Sequence, residues 1–218
     1  MNELSTIQYL VVLSLPLLFA ITVHEVAHGW VAFKLGDPTA QRLGRLTLNP
    51  IKHIDILGTL IVPLAIFILS SQKFIFGWAK PVPINWHNLR HPRRDMALVA
   101  LAGPGSNLLM AFCWALISKL GVILTAVFPA SIFLAYMGLM GILVNIILML
   151  LNLIPILPLD GGRVLHSLLP PSLARPFAQI EPYGIFVLII LLMTGVLGKI
   201  LFPVVALTYN QFSALVGL

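Results

Sequence analysis

The sequence predicts an all-α membrane protein with five to six transmembrane or re-entrant helices, folded as one integral-membrane domain over residues 1–218. Hydrophobic residues make up 59% of the chain and charged residues only 9%, whereas a soluble domain carries about 25% charged residues. The mean hydropathy is +1.02. The apolar residues form long continuous runs rather than an alternating pattern. This favours helices over a β-barrel, because every backbone polar group in lipid must be paired internally.

Four apolar runs are long enough for transmembrane helices. The first covers about 7–35, which is roughly 43 Å of helix against a hydrocarbon core of about 30 Å, and Pro16 is expected to kink it. No basic segment precedes this run and it is longer than a signal sequence, so we expect it to be retained. The second run, 96–128, is expected to be interrupted at 102–107. A helix over 131–154 follows, and then a last one over about 183–207, broken at Gly195, Gly198 and Pro203.

Two shorter segments have more than one predicted structure. The run 56–69 contains Pro63 and has only 14 residues, so the sequence leaves open whether it crosses the membrane or enters and returns. The segment 74–84 has alternating aromatic residues followed by Pro81 and Pro83, which only an edge strand tolerates. It is predicted either as a small membrane-associated β-hairpin or as an interfacial loop anchored by Trp78 and Trp86.

The basic residues lie between the apolar runs. The chain has 13 Lys and Arg against 7 Asp and Glu, for a net charge of +6. Their concentration in the connectors at 34–52 and 73–94 is typical of cytoplasmic loops that face anionic lipid, which places Met1 outside. The pattern predicts a lipid bilayer as partner and no nucleic acid. The single cysteine, Cys113, excludes an internal disulfide and is expected to pack in an apolar run.

Two of the seven acidic residues, Glu25 and Asp160, are embedded in apolar sequence, and the others lie at ends or in connectors. An ionisable side chain at membrane depth is costly and is a functional candidate by default. Pro155 and Pro158 are expected to end the preceding helix before Asp160, and irregular backbone at that depth is tolerated only where it lines a cavity. The two glycines after Asp160 are expected to let the backbone approach a metal closely.

Glu25 lies within an H-E-x-x-H motif between His24 and His28. Residues four apart lie on the same side of a helix, so both imidazoles can bind one metal, and neutral imidazole is a good zinc ligand. Glu25 is offset by about 100°, which suits a general base acting on a water beside the metal. A catalytic zinc site takes three protein ligands, and Asp160 is the predicted third. The alternatives are histidines that only hydrogen-bond neighbouring helices, and an Asp160 that only caps a helix near Arg163.

The four remaining histidines lie in connectors beside basic residues, where we expect them to face solvent or lipid headgroups rather than a metal: His53, His87, His91 and His166. His53 is the most open to another role. The loop that carries it follows the helix with the H-E-x-x-H motif and could fold back over the metal site.

The motifs resemble the paired signature of the site-2 protease family of intramembrane zinc metalloproteases, in its short prokaryotic form without PDZ or CBS domains. The likeness rests on residues 24–28 together with 159–161, and on shorter motifs at 45–50, 77–83, 92–96 and 102–104. It implies one Zn²⁺ per chain, held by His24, His28 and Asp160, with Glu25 as the general base.

The resemblance also implies contacts with substrate for Asn107 and Asn152. The Asn-Pro-Asp-Gly motif of the family is changed here, because no asparagine directly precedes Pro158, and Asn152 stands six residues before it. The implied reaction is hydrolysis of peptide bonds in or near transmembrane helices of membrane proteins, as in regulated intramembrane proteolysis. The implied location is a prokaryotic plasma membrane, with the site toward the cytoplasm. An unwound substrate could pair with the edge of segment 74–84.

Two other functions fit part of the pattern. An ion or metal transporter could use the same polar residues along an ion path, since broken helices at mid-membrane also occur in transporters. Against this, the chain shows no repeated halves. A different zinc membrane protease would take a later glutamate as its third ligand, and Glu181 beside Pro182 is the only later one.

Overall fold

The computed structural model describes residues 5–69 and 77–216, and most of these residues are helical. No strand occurs in these ranges, in agreement with the predicted all-α class. Short 3₁₀ turns lie at Pro50–His53, Trp86–Asn88 and Pro129–Ser131, and a π-helical turn at Ile56–Ile61 leads into α3. The α-helices in chain order are α1 (Thr6–Lys34), α2 (Thr39–Arg42), α3 (Val62–Leu69), α4 (Pro92–Leu124), α5 (Ile132–Asn152), α6 (Asp160–Leu168), α7 (Pro171–Gln179), α8 (Glu181–Met193) and α9 (Val196–Val216).

Three helices in the described ranges are long and apolar enough to cross a membrane: Ile7–Lys34 in α1, Pro92–Leu124, and Pro129–Asn152 with α5. The pair α7 and α8 is bent by 64° and adds a fourth if it counts as one span. The predicted limits of α1 and α5 are confirmed to within two residues.

Proline and glycine interrupt these helices less often than the sequence predicts. The interruption predicted at 102–107 is wrong, because α4 continues through Pro104. The last run does divide at Gly195, which has a φ of 72°, but α9 continues through Gly198 and Pro203. The local preferences of these residues are overridden where packing of a long apolar helix against its neighbours stabilises it.

The short apolar run is too short to cross a bilayer as a helix. Its 14 residues, Ile56–Ile61 and α3, extend for about 21 Å as a helix, which is less than the roughly 30 Å of a bilayer core. The backbone N–H of Trp78, beyond the run, donates to the carbonyl of Gly58 near its start at 3.0 Å. The hydroxyl of Thr59 donates to the carbonyl of Trp78 at 3.0 Å. Trp78 therefore lies beside the start of the run, and we expect the run to enter the membrane and return rather than cross it.

The segment predicted as a β-hairpin forms no strand where it is described. Its first residues, 74–76, lie outside the described residues, and 77–84 are extended. Along one edge of 77–84, alternate N–H groups are already paired, to the carbonyl of Gly58 from Trp78, to that of His53 from Lys80, and to the Glu25 carboxylate from Val82. The other edge has few donors because residues 81 and 83 are prolines. A free edge strand is therefore a wrong description of this stretch.

The centre of the molecule is α4, which packs against α1, α5 and α6, while α1 and α5 also contact each other. Small residues allow the close crossing of α4 and α5, as is usual between helices in lipid. A Cβ on Gly141 would lie 2.2 Å from the Trp114 ring, and one on Gly138 would lie 2.5 Å from Ser118 Cβ. This packing fixes the distance at which polar side chains of α4 meet those of its neighbours.

A buried carboxylate fastens the connector after α1. Asp37 is fully buried and accepts hydrogen bonds from Thr39, from the Asn85 backbone at 2.7 Å and from the Asn88 side chain at 2.9 Å. Burial disfavours the charged carboxylate, but these hydrogen bonds outweigh it and lower the pKa of Asp37. The contact ties the end of α1 to residues 85–88 just before α4.

Candidate metal centre

Three polar side chains from two distant parts of the chain meet beside α4. His24 and His28 project from the same side of α1, as the spacing of four residues predicts, and Asp160 is the first residue of α6. The Nε2 atoms of the histidines are 3.0 Å apart. Asp160 Oδ2 lies 3.2 Å from His24 Nε2 and 3.3 Å from His28 Nε2. Both imidazoles are buried.

These separations fit the coordination sphere of zinc. A tetrahedral zinc with bonds of about 2.0–2.1 Å holds its ligand atoms about 3.3 Å apart. The three side chains form the one His, Cys, Asp or Glu cluster with metal-ligand spacing in the described part of the chain. Two imidazoles and a carboxylate also belong to the ligand types found in catalytic zinc sites.

A chain of amides determines which nitrogen of His24 carries its proton. The carbonyl of Gly141 can only accept, so the atom of Asn145 that contacts it at 2.8 Å is Nδ2. Asn145 Oδ1 then accepts from Asn107 Nδ2 at 2.9 Å, and Asn107 Oδ1 accepts from His24 Nδ1 at 2.6 Å. Both asparagines are fully buried. The proton of a neutral His24 is therefore on Nδ1, and its Nε2 presents a lone pair to the cluster.

His28 is fixed in the same way by backbone. Its Nδ1–H donates to the carbonyl of Val99 in α4 at 2.7 Å. Asp160 Oδ2 is buried and accepts no hydrogen bond from any described residue. Three lone-pair atoms thus face one another at about van der Waals contact or less, with no hydrogen between them. A cation placed among them would relieve this repulsion, so the residues fit a bound Zn²⁺.

Gly103 brings α4 against both imidazoles. A Cβ there would lie 2.4 Å from His28 Nε2 and 2.5 Å from His24 Cε1. The structural role of Gly103 is therefore to allow this close approach, and not to break the helix.

Gly103→Ala should therefore push the imidazoles apart and lower zinc affinity by at least about tenfold, similar to loss of a hydrogen-bond partner of a ligand. Gly105→Ala, two residues further along α4, is the matched control because a Cβ there meets no atom within 4 Å. Competition with a chelating dye measures both affinities. Equal affinities for the two variants would contradict the packing argument.

Asp160 is positioned by the turn between α5 and α6. The helix ends at Asn152, before the two prolines, as predicted, and α6 starts at Asp160. The glycines after Asp160 do allow a close approach, but to backbone of this turn rather than to a metal. A Cβ on Gly161 would lie 2.3 Å from the Leu153 carbonyl oxygen, and one on Gly162 would lie 2.4 Å from the Leu157 nitrogen. The glycines thereby fold the turn back so that the carboxylate reaches α1.

Glu25 lies beside the cluster without joining it. Its Oε2 accepts the backbone N–H of Val82 at 2.7 Å, and its Oε1 has no hydrogen-bond partner among the described residues. Val82 also packs on α1, because a Cβ on Gly29 would lie 2.7 Å from Val82 Cγ1. The extended segment 77–84 therefore runs along the helix next to the carboxylate and sets its orientation.

The other predicted candidates are placed differently. Asn152 Nδ2 donates to the Leu148 carbonyl of its own helix at 3.0 Å and is half-buried. Glu181, the alternative third ligand, pairs with Arg163 at 3.3 Å and is outside the cluster. His53 is buried, contrary to prediction, and its Nε2–H donates to the Thr47 carbonyl at 2.9 Å instead of reaching the metal centre. His87 and His91 are exposed, as predicted, and His166 is half-buried.

Asn145 is a further residue of the site that the sequence motifs do not indicate. Its only signal was an amide in the middle of the apolar run of α5, which costs free energy unless it is hydrogen-bonded.

Asn145→Leu should leave the Asn107 amide without its acceptor and loosen the orientation of His24. We expect zinc affinity to fall by about 10–100-fold, the usual cost of removing a partner of a metal ligand. Asn152→Leu makes the same change on the same helix but breaks only a contact within that helix, and it should retain full affinity. Zinc titration of both variants tests this, and unchanged affinity in Asn145→Leu would show that the amide chain does not orient His24.

Comparisons with known proteins agree with this chemistry. The model of Peptidase family M50 matches residues 118–195, which include Asn145 and Asp160. The chain is 39% identical over 204 residues to "Putative zinc metalloprotease YwhC" of Bacillus subtilis (strain 168), covering 92% of this chain and 87% of the relative. It is 31% identical over 189 residues to "Putative zinc metalloprotease Rip2" of Mycolicibacterium smegmatis, covering 86% of this chain and 69% of that protein.

A protein of the same name from Mycobacterium tuberculosis (strain ATCC 25618 / H37Rv) is 29% identical over 190 residues, with the same coverage. No solved structure matches the chain. The similarity to YwhC extends over nearly the whole of both chains, so it includes the H-E-x-x-H helix as well as the region that carries Asp160. The chain therefore belongs to peptidase family M50, as the resemblance of its motifs to the site-2 proteases predicts, and it is a zinc metalloprotease.

Proposed function

We propose that this zinc metalloprotease hydrolyses peptide bonds in or near transmembrane helices of membrane-protein substrates. In this proposal His24, His28 and Asp160 hold the metal and Glu25 is the general base. The strongest support is that two histidines of a helix of membrane-crossing length, α1, meet the carboxylate of Asp160 with metal-ligand spacing. His28 precedes Lys34 by six residues, or about 9 Å along α1, so the site would lie within the bilayer near one face.

Each residue has a separable role. Zinc held by these residues would polarise the scissile carbonyl and lower the pKa of a bound water molecule. Glu25 takes the proton of the attacking water and returns it to the leaving amine. The Val82 N–H holds Glu25 Oε2 and leaves Oε1 to accept that proton. The N–H groups at Nδ1 of both histidines stay with Asn107 and the Val99 carbonyl, so neither ligand changes its tautomer during turnover.

The two asparagines are proposed to act differently from each other. Asn107 is fully buried, and its Oδ1 and Nδ2 are engaged by His24 and Asn145, so we assign it the positioning of His24. Asn152 is half-buried and bonded only within α5, and it remains our candidate for contact with the substrate and its developing oxyanion.

A small apolar cavity on α1 is our candidate contact for a side chain of such a substrate. It has a volume of about 80 Å³ and lies between α1 and residues 48–50. Thr22, two residues before His24, lines it together with Phe19 and Leu48. An apolar side chain of an unwound substrate helix fits a wall of this composition.

Cleavage of a defined substrate tests the proposal. The zinc-loaded protein is reconstituted with a single-span peptide whose helix is weakened by a central glycine pair, and mass spectrometry locates the cut. We expect cleavage within the bilayer-embedded residues, and loss of cleavage when a chelator removes zinc. Cuts confined to the water-exposed ends would contradict an intramembrane substrate while leaving the metalloprotease assignment intact.

We further propose that the site faces the cytoplasm of a prokaryotic cell. The connectors at 34–52 and 77–94 carry most of the basic residues, which favours the cytoplasmic side for the end of α1 and the start of α4.

In a Cys113→Ser background, a cysteine at Arg42 should be protected from an impermeant maleimide added to intact cells. A cysteine at Val127, which is exposed between α4 and α5, should be labelled. The opposite pattern would reverse the topology.

A further inference from the structure

The peptide group between Pro81 and Val82 is held at both of its ends. The N–H of Val82 donates to Glu25 Oε2 at 2.7 Å. The carbonyl of Pro81, which belongs to the same peptide group, accepts from Arg45 Nη2 at 3.4 Å, and the preceding carbonyl of Lys80 accepts from the same atom at 2.9 Å. A trans peptide group is planar, and its C=O and N–H point in opposite directions. The orientation of the N–H on the carboxylate is therefore coupled to the position of the guanidinium.

Few other backbone hydrogen bonds fix this stretch. Both neighbours of Val82 are prolines, which have no N–H, so Val82 is the one backbone donor within residues 81–83. The donor before it in the chain, the N–H of Lys80, bonds to the His53 carbonyl at 2.9 Å. Without Arg45, the carbonyl of the peptide group would have no partner among the described residues.

The backbone beside Arg45 packs on the same point of α1 as Val82 does. A Cβ on Gly29 would lie 2.6 Å from Leu46 Cδ2 and 2.7 Å from Val82 Cγ1. Gly29 follows Glu25 by four residues, so both lie on the same side of the helix. The loop that carries the guanidinium, the peptide group and the carboxylate therefore belong to one packed unit.

The hydrogen bonds of the Arg45 guanidinium to described residues are both with this segment. Arg45 is half-buried, and its Nε is covered and has no hydrogen-bond partner among the described residues. It pairs with no described carboxylate. A charged donor forms a stronger hydrogen bond than a neutral one, and hydrogen bonds in series polarise one another. The contact of the guanidinium with the peptide carbonyl should therefore make the Val82 N–H a better donor to the carboxylate.

We propose that Arg45 is a positioning residue for Glu25 and acts through the peptide group between Pro81 and Val82. The guanidinium fixes the plane of this group, and the N–H of the group fixes Glu25 Oε2. Oε1 is thereby kept as the oxygen that accepts the proton of the attacking water. The inference rests on the proposed role of Glu25 as general base, and it assigns Arg45 no contact with metal or substrate.

Hydrogen–deuterium exchange of the Val82 amide tests the coupling without any substrate. The zinc-loaded, detergent-solubilised protein is compared with Arg45→Gln, and electron-transfer fragmentation isolates the Val82 amide. Glutamine is shorter than arginine and neutral, so we expect exchange to become about tenfold faster, the effect of losing one hydrogen bond to a charged group. Arg42→Gln is the matched control, because Arg42 is exposed on the same connector and its side chain makes no hydrogen bond or ion pair with any described residue. Its exchange should equal that of the wild type.

Cleavage of the single-span peptide by the same variants separates positioning from binding. Arg45→Gln should lower kcat by about tenfold, less than the 10²-fold that a misplacement of 1 Å can cost, while KM and zinc content stay unchanged. Arg45→Lys keeps one charged donor and should recover part of the loss. In a Val82→Pro background the N–H is absent, so Arg45→Gln should have no further effect there.

Four results would overturn the inference. Unchanged exchange at Val82 in Arg45→Gln would show that the peptide group is not coupled to the guanidinium. An equal loss of kcat in Arg42→Gln would indicate a general charge effect. An undiminished effect of Arg45→Gln in the Val82→Pro background would indicate another route, and loss of zinc in Arg45→Gln a structural role. Failure of the proposed base is recognised separately, because Glu25→Gln would then cleave like the wild type whatever the exchange rates are.

Discussion

Glu25→Gln is expected to lower the rate of peptide cleavage by about 10²–10⁴-fold, the usual contribution of a general base, while zinc content stays near one per chain. Glutamine keeps the size of the side chain and can still accept the Val82 N–H, so the packing of segment 77–84 on α1 should persist. What it lacks is a carboxylate oxygen that can take up a proton. The loss should therefore appear in kcat rather than in metal binding.

The matched control for this prediction is Glu181→Gln. It makes the same chemical change at a carboxylate that pairs with Arg163 and stands apart from the metal centre. We expect its cleavage rate to remain within a few-fold of the wild type. Cleavage of the single-span peptide in proteoliposomes, followed together with metal analysis, measures both variants. Wild-type turnover in a zinc-loaded Glu25→Gln protein would rule out Glu25 as the base.

Asp160→Ala is expected to reduce zinc affinity by more than about 100-fold, which exceeds the usual cost of removing only a partner of a ligand. The carboxylate is the one acidic group in the cluster, and its buried Oδ2 has no other partner among the described residues. Loss of this atom leaves two imidazoles, which is too few for a catalytic zinc site. Proteolysis should disappear with the metal.

Asp55→Ala is the corresponding control, because Asp55 Oδ1 caps the turn at Gly58 and lies outside the cluster. Asp160→Asn adds a variant of unchanged size that should also bind zinc weakly, which separates loss of the ligand from disturbance of α6. Circular dichroism reports whether the helices persist. If Asp160→Ala retained zinc at wild-type affinity, the third ligand would have to be another residue.

The sequence by itself determined the parts of this protein that depend on local chemistry. Composition and run length identified the solvent as lipid and the structure as helical, because hydrocarbon admits no unpaired backbone. The spacing of His24 and His28 placed both imidazoles on one side of α1, because helical periodicity requires no knowledge of neighbouring helices. Asp160 was identified because a carboxylate in apolar sequence is energetically costly at membrane depth and is therefore a functional candidate.

The conformational preferences of single residues gave wrong predictions where helix packing determines the structure. Pro104 and its flanking glycines indicated a break, yet α4 continues, and Gly103 serves to bring that helix against the two imidazoles. The segment 74–84 indicated an edge strand, yet alternate N–H groups of its described part, 77–84, donate to Gly58, His53 and Glu25. Periodicity and propensity describe single segments and carry no information on such partners.

Only the tertiary structure decided how distant segments meet. It ordered the amide chain from Gly141 through Asn145 and Asn107 to His24, which sets the imidazole tautomer. It also brought Trp78, beyond the run 56–69, beside Gly58 near the start of that run. The amide chain depends on how closely α4 crosses α1 and α5, and that distance is set by small residues whose effect appears only when the helices are packed together.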